Sequence, residues 1–365
     1  MNLPLRAVIA DDSALYRALL SRALGKIGGV DVVAQASNGA EAIDCVRKLA
    51  PDFLTLDLNM PKLDGLGTLR AIREARLTCE VIMVSSVTRQ GAMATLEALQ
   101  LGAVDFITKP DKDDSQVNAG ALEAALRRQL SAIRLRRNRI AHAPSASSHA
   151  EIPSAKGQLP VSIPEAATIR LVPEVIAIGV STGGPAALPV LISALPEGLR
   201  VPVLIVQHMP PLFTASLADS LNNKCALRVQ EGHDGQLVAA NNVYIAPGGR
   251  HMKVKRAFDR SLRLSICDDP PENHCRPSVD VLFRSVGEQY GGRVVAAILT
   301  GMGNDGVAGL RVLKHLGART IAQDEATCTV FGMPQEAIRA GVVDSVLPLN
   351  RIAEAFVSAV NPNGK

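Results

Sequence analysis

The sequence predicts an α/β protein of two doubly wound domains joined by a linker. Three observations predict it. Short apolar runs rich in β-branched residues alternate with stretches of helical apolar spacing in both halves of the chain. Residues able to carry chemistry follow directly on several of those runs, where the C-terminal ends of parallel strands converge. Between the halves, from Ala141 to about Leu171, the composition turns to Ala, Ser, Pro and His, too poor in apolar surface to offset its ordering entropy.

The composition bounds the reading. A chain of 365 residues that is 47% hydrophobic has room for two cores. No apolar run approaches the roughly 18 residues of a membrane span. Met1 to Arg6 leads into a short strand and acidic Asp11-Asp12 rather than a signal sequence, so a cytoplasmic protein is expected. Cysteines 45, 79, 225, 267, 275 and 328 form no Cys-x-x-Cys and read as thiols in a reducing compartment, not as metal ligands or disulfides. A net charge of +4, 3% aromatic residues and no Trp argue against nucleic acid as a partner.

In chain order, Ala7–Ala10, Val30–Val33, Phe53–Leu56, Val81–Val84 and Asp105–Thr108 read as five strands, with helices such as Ser13–Lys26 and Gly39–Leu49 between them. Val117–Ile140 reads as one long helix carrying Arg127, Arg128, Arg134, Arg136, Arg137 and Arg139, a solvated tail leading into the linker. In the second half the candidate strands are Val175–Val180, Val201–Gln207, Asn242–Ala246, Leu262–Cys267, Val294–Thr300 and Thr320–Ala322, with an antiparallel excursion over Lys253–Leu264. The expected division is residues 1–122, a helical then Ala/Ser/Pro-rich connector over 123–172, and residues 173–362.

The first domain gathers Asp11 and Asp12 at the end of its first strand, Asp57 at the end of the third, Ser85 after the fourth and Lys109 after the fifth. Three converging carboxylates call for a hard cation, and a hydroxyl and an ammonium beside them suit a phosphoryl group on a carboxylate. One aspartate alone would read as a helix cap; five such positions together do not. Asp11-Asp12, Leu56 to Pro61 with Asp64-Gly65, Val84-Ser85-Ser86 and Phe106 to Pro110 resemble the receiver domain of two-component response regulators, a flavodoxin-like fold. The resemblance implies that Asp57 is phosphorylated by a histidine kinase. It implies Mg²⁺ held by Asp11, Asp12, Asp57 and the carbonyl of Asn59, with Lys109 and Ser85 on the phosphoryl group and Phe106 moving with Ser85.

The second domain opens with Gly179-Val180-Ser181-Thr182-Gly183-Gly184-Pro185 after an apolar strand. Such a turn suits an exposed nucleophile, a phosphate-cradling loop or a tight strand-to-helix connection. No Lys-Ser/Thr follows, as a P-loop would require. His208 lies just past a second strand and Asp305 in a glycine-rich turn past a third, so Ser181, His208 and Asp305 can meet at one sheet edge. The order Ser, His, Asp differs from that of the α/β-hydrolases. His233, His251, His274 and His315 compete for the role of base, and His315, in a helix over Gly309–Leu316, is the weakest. Gly301-Met302-Gly303-Asn304-Asp305-Gly306 also matches a dinucleotide fingerprint, with Asp324 where a ribose-binding acid would fall. Against an oxidoreductase stand the late position of this loop, the carboxylate inside it and the job it leaves undone for Ser181.

Ile178–Pro185, Gln207–Pro210, Tyr244–Gly248, Arg276–Phe283, Leu299–Gly306, Gln323–Glu325 and Phe331–Pro334 resemble the chemotaxis protein-glutamate methylesterase family, CheB. The resemblance covers nearly the whole chain and implies a mostly parallel, Rossmann-like catalytic domain. It implies hydrolysis of glutamate γ-methyl esters, and deamidation of glutamines, on the cytoplasmic helices of methyl-accepting chemoreceptors. Ser181 would be the nucleophile, His208 the base, Asp305 its orienting acid, and Met302 N–H with Thr182 the oxyanion site, with no cofactor for the esterase and no membrane insertion. The unphosphorylated receiver would cover Ser181. A receiver-linked regulator without catalysis is the competing class. One departure is Cys275, where a basic or polar residue is expected before Arg276-Pro277; it is expected to leave the triad untouched and alter the rim that meets substrate.

Overall fold

A computed structural model describes residues 3–109, 115–142 and 171–361, the side chains of 115–119 and 138–142 excepted. The expected linker lies almost wholly outside the described residues. The first unit runs β1 (Leu5–Ala10), α1 (Ala14–Ile27), β2 (Val30–Ala36), α2 (Gly39–Leu49), β3 (Phe53–Asp57), α3 (Gly65–Glu74), β4 (Glu80–Ser85), α4 (Arg89–Gln100), β5 (Asp105–Thr108) and α5 (Ser115–His142). All five predicted strands are present. They pair in parallel in the order β2-β1-β3-β4-β5. Chain order reverses beside β1, so the loops after β1 and β3 open on one crevice. Ser13, Asn38, Asp64 and Thr88 each accept from the backbone N–H three residues on, which sets where the first four helices start.

The helix α5 is not the solvated tail that its arginines suggest. Leu122, Leu126, Leu130 and Ile133 fall on one face and are buried with β1 and α1 residues such as Leu5, Ile9, Leu20 and Leu24. Several arginines settle on partners within this unit: Arg136 with Glu80 at 3.2 Å, Arg137 with Asp52 at 2.8 Å, and Arg134 on the Gly29 carbonyl at 3.3 Å. The run therefore anchors the helix to the sheet.

The second unit runs β6 (Val175–Val180), α6 (Gly184–Ser193), β7 (Val203–Gln207), α7 (Phe213–Asn222), β8 (Arg228–Glu231), β9 (Asn242–Ile245), β10 (His251–Arg256), β11 (Leu262–Cys267), α8 (Val279–Tyr290), β12 (Val294–Ile298), α9 (Val307–His315), β13 (Arg319–Gln323), α10 (Met333–Arg339), β14 (Ser345–Leu347) and α11 (Leu349–Val360). Seven strands pair in parallel in the order β14-β13-β12-β6-β7-β9-β8. The antiparallel excursion is the separate hairpin β10-β11. The sequence reading missed β8 and β14, which are four and three residues long. The chain leaves β6 toward β7 and later returns to its other flank with β12, so the crevice forms where β6, β7 and β12 end.

The two units share one apolar cluster. It runs from β3 and β4 through Ala92, Leu96 and Leu99 of α4 into Leu188, Leu191, Phe213 and Leu217 of α6 and α7. Among the described residues no helix is long and apolar enough to cross a membrane.

Helices α8 and α9 cross at Gly309. A Cβ there would come within 2.6 Å of Phe283 Cβ, and Gly309 N–H donates to Asp280 Oδ1 at 2.6 Å. Gly309→Ala should therefore push the helices apart at a cost of about 1–3 kcal/mol. The check is thermal unfolding of the full chain, with a midpoint lowered by several degrees.

Candidate active site

β6 is buried along its whole length and stops at Val180. The chain then turns through Ser181-Thr182-Gly183 into α6. Gly183 adopts φ +85, and a Cβ there would lie 2.4 Å from Thr329 Cβ, so only glycine lets the turn close. Gly301, past β12, packs against Ser181; a Cβ on it would sit 2.7 Å from Ser181 Cβ. The backbone pins the serine from both flanks: Ser181 N–H donates to Thr300 O at 3.0 Å, and Gln207 Nε2 donates to Ser181 O at 3.0 Å. Among the described residues, neither the Thr182 nor the Met302 backbone N–H has a protein acceptor, so two donors beside Ser181 remain available for a developing oxyanion.

Parallel pairing of Val180 with Gln207 brings His208 alongside Ser181. His208 Nε2 donates to Asp305 Oδ2 at 2.8 Å. Asp305 is 2% exposed, so its charge needs compensation. It also accepts from Ser278 Oγ at 2.8 Å, Val279 N at 2.7 Å, Asp280 N at 3.1 Å and Asn273 Nδ2 at 3.1 Å. Val279 and Asp280 open α8, whose N-terminus favours an anion. Burial works against the carboxylate, but the His208 bond and charge, with the Val279 and Ser278 donors, outweigh it and hold the acid down at about 2. Burial likewise opposes a charged imidazole, yet the Asp305 and Cys275 contacts push His208 up to about 9.

The expected His208–Asp305 pair is formed and strand pairing sets Ser181 at the same edge, but among the described residues no hydrogen bond joins Ser181 Oγ to His208. Cys275 is not confined to the rim: its Sγ lies 3.8 Å from His208 Nδ1. The competing histidines stand elsewhere. His251 is buried, its Nδ1 accepts from Ser278 N at 3.1 Å, and its Nε2 lies 3.1 Å from Pro270 O. His233 and His274 lie in exposed loops, and His315 closes α9. The dinucleotide reading fails on geometry. Asp305 turns inward to His208, and Asp324 accepts from Thr327 N and Oγ1 in a local turn. Asn273, Ser278 and Asp280 escaped the sequence reading, although Ser278 and Asp280 stand in a stretch it had singled out.

The receiver residues also converge. Lys109 Nζ lies 2.9 Å from Asp57 Oδ2 and 2.8 Å from Asp11 Oδ2, and 4.5 Å over the Tyr16 ring. Burial raises the Asp57 carboxyl above its ordinary range although Lys109 lowers it; burial opposes the Lys109 charge, but Asp11 and Asp57 raise it more. Asp11, Asp12 and Asp57 offer oxygens within 4.8 Å of one another, and Asp11 Oδ2 is buried with no aligned hydrogen-bond donor. This all-oxygen set fits a hard divalent cation. Asn59 follows two residues after Asp57 and is exposed. Ser85 Oγ is turned onto the Ser86 and Gly91 carbonyls at 3.2 and 3.3 Å.

Phe106 does not face its own unit alone. Its ring stacks on Phe213 at the start of α7, centroids 4.4 Å apart and planes 18° from parallel. Beside it Asp105 Oδ2 accepts from Thr182 Oγ1 at 2.5 Å and from Gln129 Nε2 at 2.9 Å. Burial raises the Asp105 carboxyl despite these donors. The receiver therefore touches the residue next to Ser181, and the Thr182 hydroxyl expected at the oxyanion site is engaged by Asp105.

The ring of His208 should titrate near 9 by proton NMR of the full chain. Asp305→Asn removes the compensating charge and should bring that midpoint down toward 6.5. A midpoint unmoved by the substitution would contradict the pairing.

Comparison with known proteins now adds to this geometry. The model of the CheB methylesterase family matches residues 176–356, and that of the response regulator receiver domain residues 7–120. A Desulfotalea psychrophila protein named protein-glutamate methylesterase/protein-glutamine glutaminase is 42% identical, over 98% of this chain and 98% of its own. An Archaeoglobus fulgidus protein of the same name is 43% identical over 97% of each chain. The crystal structure of the Thermotoga maritima CheB methylesterase catalytic domain superposes with a TM-score of 0.50 at 40% identity, covering 52% of this chain and 99% of that one. With such identity over nearly its full length, the chain belongs to the CheB methylesterase family, in the form that carries a receiver domain ahead of the catalytic one.

Proposed function

We propose that this chain is a receiver-controlled protein-glutamate methylesterase and protein-glutamine deamidase acting on chemoreceptors, with a chemotaxis histidine kinase as phosphodonor and the cytoplasm as its compartment. The observation that carries the reading is Ser181 at the strand crevice beside the His208–Asp305 pair and the uncommitted N–H groups of Thr182 and Met302. In this reading the units divide as residues 1–122, 123–172 and 173–362, with the first part of the connector packed on the receiver.

Ser181 Oγ attacks the ester carbonyl carbon. With the ring in its neutral form, the Ser181 proton passes to His208 Nδ1, the nitrogen that Asp305 leaves over, and Asp305 holds that form in the matching tautomer, so turnover rises with pH up to about 9. Charge developing on the carbonyl oxygen is met by the free backbone N–H groups. The imidazolium gives the proton to the departing methanol, or to ammonia from a glutamine, and water then hydrolyses the Ser181 acyl ester to release the glutamate carboxylate and restore the serine. Ser181→Ala should abolish methanol release from methylated receptor membranes. In a chain lacking residues 1–142, where Asp105 no longer holds the hydroxyl, Thr182→Ala keeps the backbone donor and should only weaken turnover, by less than the roughly 10²–10³-fold typical of a lost oxyanion donor. Undiminished release by Ser181→Ala would sink the triad.

Regulation follows from the contacts between the units. Mg²⁺ held by Asp11, Asp12, Asp57 and the Asn59 carbonyl would neutralise charge at a phosphoryl group on Asp57, with Ser85 and Lys109 as its other contacts. Moving Ser85 toward that group frees the space into which Phe106 swings, and the Phe106–Phe213 stack and the Asp105–Thr182 bond are lost together. The exposed pair Arg89–Asp219, at 3.1 Å, adds little. A stacked aromatic pair contributes about 0.5–1.5 kcal/mol beyond its buried area, a factor of about 2–10 in the closed population. Phe213→Leu should therefore raise unphosphorylated methanol release several-fold, and removal of residues 1–142 should raise it further. A truncated chain no faster than the unphosphorylated whole would remove the occlusion model.

A further inference from the structure

The reaction described above leaves Cys275 without a role, yet its thiol lies 3.8 Å from Nδ1 of the base. Donor atoms of His208, Cys275 and Asp305 all lie within 4.8 Å of one another. We propose that His208 Nδ1 and Cys275 Sγ form a binding site for a thiophilic divalent cation of the Zn²⁺ class, and that a cation seated there stops hydrolysis.

The separation fits. With Zn–S about 2.3 Å and Zn–N about 2.0–2.1 Å at a tetrahedral angle, sulfur and nitrogen stand about 3.6 Å apart. Cys275 Sγ and His208 Nδ1 are 3.8 Å apart, so a cation enters with a shift of roughly 0.2 Å. The ring is already turned for it. Nε2–H points to Asp305, which directs the Nδ1 lone pair toward the sulfur, the carboxylate–histidine–metal arrangement that orients metal-bound imidazoles. Asp305 is the orienting group and not a ligand, because its two oxygens already serve five donors.

The thiol is held in place. Cys275 N–H donates to Glu272 O at 2.8 Å, and Glu272 N–H returns a bond to Cys275 O at 3.1 Å. Asn273 and His274 between them adopt left-handed φ values of 52 and 60. Glu272 pairs with Arg284 of α8, 2.7 Å from Arg284 Nη1, which fastens the turn. Cys275 is part-exposed and the His208 side chain 14% exposed, so a small cation has access.

Donor softness separates this site from the receiver's. Asp11, Asp12 and Asp57 offer only oxygen and suit Mg²⁺, while sulfur and imidazole nitrogen suit Zn²⁺. Binding is a substitution without redox change: the S–H bond and the Nδ1–H bond of the imidazolium break, the S–Zn and N–Zn bonds form, and both protons leave to solvent. The inhibitory half of the proposal rests on the hydrolase reading, since Nδ1 is the nitrogen that takes the Ser181 proton; the binding half does not.

The test titrates the full chain with Zn²⁺ by calorimetry in excess Mg²⁺, which keeps the receiver site filled, and with Co²⁺ by absorption spectroscopy. Expected are Zn²⁺ binding at least about tenfold weaker in Cys275→Ala and Cys275→Ser, and a sulfur-to-cobalt charge-transfer band in the wild type that both variants lack. Zn²⁺ should also stop methanol release by the wild type, reversibly on chelation in excess Mg²⁺. Each variant, measured against its own metal-free rate, should need at least about ten times more. Equal Zn²⁺ affinity in wild type and variants, or no charge-transfer band, overturns the site. Binding without inhibition overturns its regulatory role. Absence of methanol release before any metal is added would instead count against the hydrolase reading, while the titrations still decide the site.

Discussion

The carboxylate of Asp305 is the point on which the catalytic edge depends. It is buried, ionised and met by donors from the turn before α8, from the α8 N-terminus and from β7 through His208. A buried charge of this kind is tolerable only while its partners stay in place. That demand ties the β12 loop, α8 and His208 into one rigid constellation. The packing of α8 on α9 at Gly309 and the Asn273 bridge between Asp280 and Asp305 serve the same constraint. Ser181 needs no such network, because its place is set by backbone bonds and by glycines that let neighbouring chains approach.

The receiver and the catalytic unit meet at residues with other duties. Phe106, assigned by the proposal to the phosphorylation switch, also stacks on α7; Thr182, next to the proposed nucleophile Ser181, also binds Asp105. Under the proposed regulation no separate relay has to carry a signal between Asp57 and Ser181, since the groups that would move at one site are those that touch the other. Asp105 adds tension to this contact. Its buried carboxyl is stabilised by Thr182 and Gln129 but disfavoured by burial, which keeps the closed arrangement from being overly secure.

Much of this was legible in the sequence. Strand ends, the Ser181 turn, the acidic cluster and Lys109 announce themselves because parallel α/β sheets put chemistry at the C-terminal ends of their strands, and short motifs mark those ends. The face of α5 was legible too, at Leu122, Leu126, Leu130 and Ile133, but a run of arginines drew attention from it. The contacts of Cys275, Asn273 and Asp105 were not legible. They depend on which way a side chain leaves a loop and on which loop from a distant part of the chain lies opposite, and neither is encoded in spacing. Strands β8 and β14 were missed because three or four residues are too few to display a period.

The apolar cluster that runs unbroken from the receiver into α6 and α7 has a thermodynamic consequence. Parting the units wets that surface, so opening carries a positive heat-capacity change. Contacts of this type lose strength on cooling. The closed form is then held most weakly in the cold, where the chemical step is slowest, and the two temperature dependences offset one another in the resting rate. Under the proposed gating, coupling carried mainly by apolar surface would give the closed form its own thermal compensation.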